Sequence, residues 1–188
     1  MPSTTEKREQ SHYHAVQFYK DAHSLASTVA RFLCDGLDAG EPVLIVATAI
    51  HTAEILAELD ALGCDTRMLR KTGMVQLLDA RKMLSAFMVD GTPDTLMFKS
   101  GVGDVIDRLC AGRKPCPIRV YGEMVDILWQ EGNADGAIRL EILWNQLASA
   151  YDFSLLCGYA VGHFYKQTGG KSIEDVCHQH SHVLQQAG

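Results

Sequence analysis

Hydrophobic residues fall into two kinds of segment along the chain. Short apolar runs, of which PVLIVAT at residues 42–48 is the clearest, have the length and β-branched content of strands buried on both faces. Longer segments, such as residues 21–39, repeat their apolar residues at three- and four-residue steps, which is typical of a helix with one buried face. Because the two kinds alternate, the pattern predicts an α/β fold in three layers, with a mainly parallel sheet flanked by helices.

The same pattern gives approximate bounds for each element. Strands are predicted at residues 15–19, 42–48, 74–78, 117–121 and 153–160. Helices are predicted at residues 21–39, 80–89, 94–110, 134–151 and 172–184, the last of them opened by a Ser-x-x-Asp capping motif. One further helix is capped by Thr48 or Thr52 and carries the apolar stripe Ile55, Leu56, Leu59 and Leu62. Residues 1–11 are polar and are interpreted as a flexible tail ahead of one domain at residues 12–188.

Composition narrows the class of protein. With 188 residues and 47% hydrophobic content the chain is long enough for one domain with a core, and its net charge of −6 argues against nucleic acid or anionic lipid as a partner. No apolar run approaches the roughly 20 residues of a membrane helix, and the polar N-terminus is unlike a secretory signal. We therefore expect a cytoplasmic protein with no membrane and no nucleic-acid partner.

The six cysteines are scattered without a Cys-x-x-Cys pair. This spacing favours reduced, mostly buried thiols over a disulfide framework or a zinc knuckle. Cys157 lies in an apolar strand, where burial would raise the thiol pKa and make it a poor nucleophile. Since no Gly-x-Ser-x-Gly motif is present and Ser, His and Asp are dispersed, the sequence indicates no catalytic triad.

The segment QFYKDAHSLA, residues 17–26, joins the first strand to the first helix. Phosphate-binding loops at such junctions use a lysine and glycines whose N–H groups surround the phosphate oxygens. This segment has no glycine and carries Asp21 where an anion would lie, so we do not expect it to surround a triphosphate. Asp21 or Ser24 is instead predicted to cap the helix. Lys20 and His23 are interpreted as exposed turn residues or, alternatively, as contacts to a small anionic ligand.

A series of motifs runs through most of the chain. The first is His-x-x-Gln-Phe-Tyr at residues 14–19, followed by Phe-Leu-x-x-Gly-Leu-x-x-Gly-Glu at residues 32–41. The later motifs lie at residues 87–94, 119–129, 140–145 and 153–159, and the series closes with Cys177, His180, Ser181, His182 and Val183. In these motifs and their order the sequence resembles the MEDS family, the sensory domain named for methanogens, methylotrophs and the dichloromethane-responsive repressor DcmR.

The resemblance implies a fold, a function and partners. The family is similar to RecA and KaiC ATPases with a degenerate P-loop, so residues 17–26 stand where that loop would begin and nucleotide hydrolysis is not expected. It implies a non-catalytic sensory domain that binds a small molecule, such as a hydrocarbon derivative, without a cofactor. Occupancy would be relayed to a separate signalling protein, such as a histidine kinase or transcriptional regulator, or through a homo-oligomer.

Ligand binding is expected in a crevice at the carboxyl ends of the parallel strands. Glu123 follows a buried-looking strand there and is interpreted either as a binding or switching group or as a structural residue that caps a helix or pairs with Arg119 or Arg139. Gly122 beside it suggests tight backbone clearance. His14, just ahead of the first strand, is predicted to pair across the crevice with Tyr19, Glu123 or His182. The full set of candidate ligand-binding residues is His14, Gln17, Tyr19, Lys20, His23, Glu123, Tyr159, His180 and His182.

The C-terminal segment CHQHSH at residues 177–182 gives the alternative of a transition-metal or haem-dependent redox sensor. Its candidate ligands are Cys177, His178, His180 and His182. On a helix these residues would divide between two faces, so a complete site would need ligands from elsewhere. The residues considered for that role are His163, Cys157, His12 and His14.

Two further alternatives remain from the sequence. A residual nucleotide-binding protein would use Lys20, Glu123 and a divalent ion. A scaffold without any ligand would dimerise through Trp129 and the helix at residues 134–151. Trp129 and Trp144 are more typical of core or interface anchors than of ligand platforms.

Overall fold

The computed structural model describes residues 13–165 and 171–184, so the predicted tail at residues 1–11 and His12 lie outside the described residues. The strands of the main sheet are β1 (His14–Tyr19), β2 (Val43–Ala47), β3 (Val75–Asp79), β6 (Ile118–Gly122), β7 (Phe153–Ala160) and β8 (His182–Leu184). Two short strands, β4 (Met88–Val89) and β5 (Thr92–Pro93), form a separate antiparallel hairpin. Within the described residues the main sheet has the order β3-β2-β6-β7-β1-β8, and its neighbouring strands are parallel.

The helices pack on both faces of this sheet. They are α1 (Ala22–Asp38), α2 (Ala49–Ala61), α3 (Thr66–Lys71), α4 (Ala80–Phe87), α5 (Thr95–Leu109), α6 (Met124–Gln130), α7 (Ala134–Leu147) and α8 (Ile173–Cys177), with a 3₁₀ helix at Val161–Tyr165. Tyr121 points into the apolar layer formed with α1 and α2, whereas its neighbour Val120 points into the layer formed with α4 to α7. The predicted α/β fold, with a parallel sheet flanked by helices, is therefore confirmed. No helix in the described ranges combines the length and the apolar character needed to cross a membrane.

The junction between β1 and α1 has the capping arrangement predicted from sequence. Asp21 is the N-cap of α1, and its side chain accepts a hydrogen bond from the backbone N–H of Ser24 at 2.8 Å. The carboxylate thus satisfies one of the N–H groups that a helix start leaves without an intrahelical partner. At α2 the N-cap position is Thr48, but its side chain makes no capping bond.

The predicted helix at residues 172–184 is wrong beyond Cys177. α8 opens with the expected capping box between Ser172 and Asp175, but the chain then turns and becomes strand β8 alongside β1. The N–H of Ser181 donates to the carbonyl of His14 at 2.8 Å. The edge of a sheet offers unpaired backbone groups, and here long-range pairing with β1 replaces the local bonds of a helix.

The ends of two other helices also differ from the predicted ones. α4 ends at Phe87, because the β4–β5 hairpin turns at Asp90 and Gly91, which both have positive φ angles. α7 ends at Leu147, short of the predicted Tyr151. The short helices α3 and α6 were not expected from sequence. Residues 124–129 of α6 are all buried, so they lack the apolar stripe by which an amphipathic helix is recognised.

The cysteines depart in part from the predicted reduced state. Cys110 and Cys116 are joined by a disulfide bond, which a search for Cys-x-x-Cys spacing does not find. Cys34, Cys64 and Cys177 are free and partly exposed, and Cys157 is free and buried.

Candidate functional site

Polar side chains meet at the carboxyl ends of the parallel strands. Tyr19 is the last residue of β1, and Glu123 directly follows β6. His51 lies in the first turn of α2, Asp126 lies in α6, and His163 lies in the 3₁₀ helix after β7. We call these five residues the carboxyl-edge cluster. In open parallel sheets, ligands commonly bind at the carboxyl ends of the strands.

Glu123 is nearly buried, with 3% of its side chain exposed, and both of its carboxylate oxygens accept hydrogen bonds. Oε1 accepts from the backbone N–H of Thr48 at 2.5 Å, at the start of α2, where free N–H groups and the helix dipole favour a negative charge. Oε2 accepts from the hydroxyl of Tyr121 at 3.2 Å and from Nδ1 of His51 at 2.6 Å. Glu123 thereby connects β6 to the start of α2.

Asp126 is the second carboxylate of the cluster, and 9% of its side chain is exposed. Its Oδ2 accepts from the hydroxyl of Tyr19 at 3.1 Å. Its Oδ1 accepts from the backbone N–H of Ala160 at 3.1 Å and lies 2.8 Å from Nδ1 of His163. Glu123 is the N-cap of α6 and Asp126 lies in its first turn, so one short helix supplies both carboxylates.

The environment shifts the pKa values of three members of the cluster. The hydrogen bond to Glu123 raises the pKa of His51 and so favours the protonated imidazole. Burial raises the pKa of Asp126, and the hydrogen bonds from His163 and from the backbone oppose that rise. Burial also raises the pKa of Tyr19, and the neighbouring carboxylates add to the effect, so the phenol stays a neutral donor.

The two histidines give the cluster its access to solvent. His51 and His163 each expose 21% of their side chains. The ring of Tyr19 meets that of His51 edge-on, with centroids 6.0 Å apart. A methyl group added at Gly122 would meet no atom within 4 Å, so the predicted tight clearance there is wrong.

The predicted arginine partners of Glu123 are also wrong. Arg119 donates to Glu41 at 2.8 Å, and Arg139 donates to the hydroxyl of Thr95 at 2.8 Å. Both guanidinium groups are therefore engaged elsewhere, and an imidazole takes the place that they were expected to fill.

Three other candidates from the first strand and turn lie apart from the carboxylates. Gln17 is buried and donates to the hydroxyl of Thr28 in α1 at 3.0 Å. Lys20 is exposed. The exposed ring of His23 lies 3.7 Å from Glu58. None of these three residues belongs to the carboxyl-edge cluster.

A second polar group is buried between the sheet and α7, around the fully buried Glu141. Oε1 of Glu141 accepts from the hydroxyl of Tyr159 at 2.9 Å and lies 3.4 Å from Nε2 of His180. Oε2 lies 3.2 Å from Nε2 of His14 and 3.4 Å from Sγ of Cys157. We call His14, Glu141, Cys157 and His180 the buried His–Glu–Cys cluster.

Burial and charge act against each other in this second cluster. Burial alone would raise the pKa of Glu141, but His180 and His14 hold it well below its usual range. Burial raises the pKa of Cys157, as predicted from its apolar strand, and the carboxylate of Glu141 adds to the rise.

The structure divides the predicted crevice residues between two places, with Tyr19 and Glu123 at the carboxyl ends of the strands and His14, Tyr159 and His180 around Glu141. Tyr19 pairs with Ala160 at the carboxyl end of β1, whereas His14 lies at the opposite end of the same strand. The side-chain contacts of His14 include Asn145, Cys157 and Glu141, and its ring lies 4.1 Å from that of His180. The ring therefore faces the buried Glu141, and the predicted pairing across the crevice with Tyr19, Glu123 or His182 is wrong.

The C-terminal metal set is likewise divided, because α8 ends at Cys177. His178 is exposed, and the ring of His182 lies 4.5 Å from that of Tyr13. Of the four predicted ligands, His180 is the one that the described residues place in a group with metal-ligand spacing.

Sequence reasoning missed His51, Asp126 and Glu141 as site residues. Asp126 and Glu141 lie inside the motifs at residues 119–129 and 140–145, which was a usable signal. His51 gave none, because its partner Glu123 is 72 positions away in the chain.

Comparison with known proteins gives one clear match. A family model described as the methanogen/methylotroph, DcmR sensory domain (MEDS) matches residues 13–181. This range includes every residue of both clusters. A search of curated proteins found no match.

Proposed function

The chain belongs to the MEDS family of sensory domains, and we propose that it is a non-catalytic sensor that binds a small molecule at the carboxyl-edge cluster. One observation carries this proposal. Two nearly buried carboxylates, Glu123 and Asp126, each contact a partly exposed histidine. Both pairs lie at the carboxyl ends of the parallel strands, where such sheets commonly bind ligands. Buried ionisable groups with perturbed pKa values are concentrated at functional sites.

The chemistry of the cluster favours a small ligand with one hydrogen-bonding head and a short apolar part. An alcohol or amine can donate to Glu123 or Asp126 in place of an imidazole, because these carboxylates accept from His51 and His163. The ring of Tyr19, which lies edge-on to that of His51 with centroids 6.0 Å apart, would pack against the apolar part. A hydrocarbon derivative fits this description.

Ligand occupancy would be relayed through the two histidines. His51 belongs to α2 and His163 to the 3₁₀ helix after β7, so displacing either ring changes the surface of a different element. Exposed apolar neighbours, Ile50 and Tyr165, flank these positions. A separate histidine kinase or transcriptional regulator, or a second copy of the chain, would read this surface.

The proposal includes a RecA/KaiC-like origin with a degenerate P-loop. The β1–α1 junction at residues 17–26 has no glycine, and the carboxylate of Asp21 already accepts from the start of α1. That arrangement supports neither triphosphate binding nor hydrolysis. Calorimetry with ATP and magnesium should therefore show no binding, and tight binding or turnover would contradict this part of the proposal.

Ligand-observed NMR with a set of short alcohols, amines and carboxylic acids tests the ligand site. We expect one class of compound to bind the wild type and to bind Glu123→Gln at least about tenfold more weakly, since a charge-assisted hydrogen bond is worth about 1.5–3 kcal/mol. Glu131→Gln is the matched control, because Glu131 is exposed and pairs with Arg81 at the surface.

Two results would contradict the site. One is equal binding to the wild type and Glu123→Gln. The other is protein-observed shifts that map to the groove of about 440 Å³ lined by Tyr13, Arg31, Phe32 and Arg119 rather than to His51 and His163.

A further inference from the structure

The buried His–Glu–Cys cluster takes no part in the proposed ligand site, and its donor atoms match those of a metal centre. The nearest ligand atoms of His14, Glu141, Cys157 and His180 all lie within 4.8 Å of one another. Two imidazoles, one thiolate and one carboxylate form a donor set suited to Zn²⁺ and similar borderline cations. We propose that these four residues bind a divalent cation of the zinc type.

Three of the distances within the cluster, those among His14, Glu141 and Cys157, have the size of a tetrahedron's edges. With metal–nitrogen and metal–oxygen bonds of about 2.0–2.1 Å and a metal–sulfur bond of about 2.3 Å, neighbouring ligand atoms lie about 3.3–3.6 Å apart. Nε2 of His14 lies 3.2 Å from Oε2 of Glu141 and 3.4 Å from Sγ of Cys157, which itself lies 3.4 Å from Oε2. A charge-assisted hydrogen bond between imidazolium and carboxylate would be about 2.7–2.9 Å long.

Neighbouring groups orient both imidazole rings. Nδ1 of His180 lies 2.7 Å from the carbonyl of Val176, and a carbonyl only accepts, so Nδ1 carries the proton. Nδ1 of His14 lies 2.8 Å from Oδ1 of Asn145, whose Nδ2 donates to the carbonyl of Gln179 at 2.9 Å. Both Nε2 atoms therefore face the interior of the cluster, as in metal-binding histidines held by an outer hydrogen bond.

His180 gives a second observation that points to a missing partner. Its side chain is fully buried, and among the described residues its Nε2 makes no hydrogen bond of acceptable geometry, with Oε1 of Glu141 at 3.4 Å. A buried polar nitrogen without a partner costs free energy. A divalent cation would give it one and would balance the charges of the Glu141 carboxylate and the Cys157 thiolate, whose proton is released on binding.

The proposed ligands come from distant parts of the chain. His14 belongs to β1, Glu141 to α7 and Cys157 to β7, while His180 lies between α8 and β8. A cation held by all four would fasten the C-terminal segment, residues 171–184, to the core.

Metal titration of the full chain tests the site. The protein is treated with a chelator and titrated with Co²⁺, whose tetrahedral thiolate complexes have visible bands and a sulfur-to-metal charge-transfer band, and then with Zn²⁺ in competition. We expect the wild type to bind one equivalent of metal and the charge-transfer band to disappear in Cys157→Ser. His180→Ala should bind the metal more than about 100-fold more weakly, since the loss of even an outer-shell partner lowers metal affinity about 10–100-fold. His178→Ala, exposed in the same segment, should bind like the wild type.

Failure of the wild type to take up one equivalent of either cation would overturn the proposal. So would a charge-transfer band that survives Cys157→Ser and disappears in Cys177→Ser. If circular dichroism shows that a variant is unfolded, X-ray absorption spectroscopy of the wild-type zinc form tests the site instead, by counting the sulfur, nitrogen and oxygen neighbours of the metal. One sulfur and three nitrogen or oxygen neighbours support the site, and any other number of sulfurs contradicts it.

Discussion

The hydrogen bond from His51 to Glu123 makes the stability of the domain depend on pH. It raises the pKa of His51 above the ordinary value of 6.5, burial opposes the rise, and the charges of Glu123, Glu54 and Asp126 add to it. Because the folded-state pKa is the higher one, this pair contributes fully below about pH 6.5, and the contribution is lost as the pH rises through the raised pKa. We expect the free energy of unfolding of the wild type to fall over that window, and His51→Gln to remove this part of the fall.

Urea unfolding at a series of pH values on both sides of 6.5 checks this. His23→Gln is the control, because the ring of His23 is exposed and lies 3.7 Å from its carboxylate neighbour. Identical pH profiles for the wild type and His51→Gln would show that the imidazole–carboxylate bond does not stabilise the folded state.

At the scale of residues, the sequence predicts contacts made within a few positions better than contacts across the fold. The cap at Asp21 was found because its acceptor and donor are three positions apart. The partner of Glu123 was not found, since the helix that carries His51 follows a different strand. Trp129 and Trp144, expected as core or interface anchors, lie in the core, because bulk and apolarity act whatever the topology.

Two glycines inside helices have opposite surroundings and should respond in opposite ways to alanine. A methyl group on Gly101 of α5 would meet nothing within 4 Å, whereas one on Gly36 of α1 would lie 2.5 Å from Cγ of Arg119. Arg119 cannot easily move, because it is held by Glu41 at 2.8 Å and by the carbonyl of Phe32 at 3.0 Å. We expect Gly101→Ala to stabilise the fold by about 0.5–1 kcal/mol and Gly36→Ala to destabilise it by about 1–3 kcal/mol.

Urea unfolding of the two variants beside the wild type measures both effects, and each variant controls for the other. A Gly36→Ala variant as stable as Gly101→Ala would mean that Arg119 is not fixed between α1 and the sheet.

The side chain of Ser181 adds two hydrogen bonds to the backbone pairing between β8 and β1. Oγ of Ser181 accepts from the N–H of His14 and donates to its carbonyl, each at 3.0 Å. Each such bond is worth about 0.5–1.5 kcal/mol net, so Ser181→Ala should destabilise the domain by about 1–2 kcal/mol. Amide exchange at residues 182–184 should also become faster, since these residues hold the edge of the sheet.

Ser149→Ala is the matched control for this variant, because the hydroxyl of Ser149 makes an exposed local bond to the carbonyl of Gln146. Hydrogen exchange followed by mass spectrometry, together with urea unfolding, separates release of β8 from general loss of stability. Unchanged exchange in Ser181→Ala would show that the backbone pairing alone keeps β8 in place.

At the scale of elements, periodicity predicted those strands and helices whose burial pattern is visible in their own sequence. β2 is buried along its whole length and was recognised from its apolar run. β8 was read as helix because a strand of three residues owes its conformation to β1, whose sequence is far away. α6 lacked a polar face and so lacked the signal of a surface helix.

For the whole molecule, strand order is the information that the sequence did not supply. The order of the sheet places β1 between β7 and β8, so His14 meets Asn145 and Cys157, which are 131 and 143 positions away. The family motifs contained His14, Cys157 and His180, but they did not show that these residues share one buried space. The motifs therefore contain several of the site residues, and the strand order determines which of the two clusters each residue joins.

A cation in the buried His–Glu–Cys cluster would stabilise the whole domain by mass action. It binds the folded chain, whose four ligands come together only in the fold, and so adds about 2.7 kcal/mol at a free concentration 100 times Kd and about 4.1 kcal/mol at 1,000 times Kd. We expect the urea midpoint of the wild type to rise with the logarithm of buffered free Zn²⁺, and that of Cys157→Ser to stay constant. His178→Ala should follow the wild type, because it leaves all four ligands in place. A wild-type midpoint independent of zinc would mean that the cluster is a hydrogen-bonded ion pair, with His180 and His14 serving Glu141 alone.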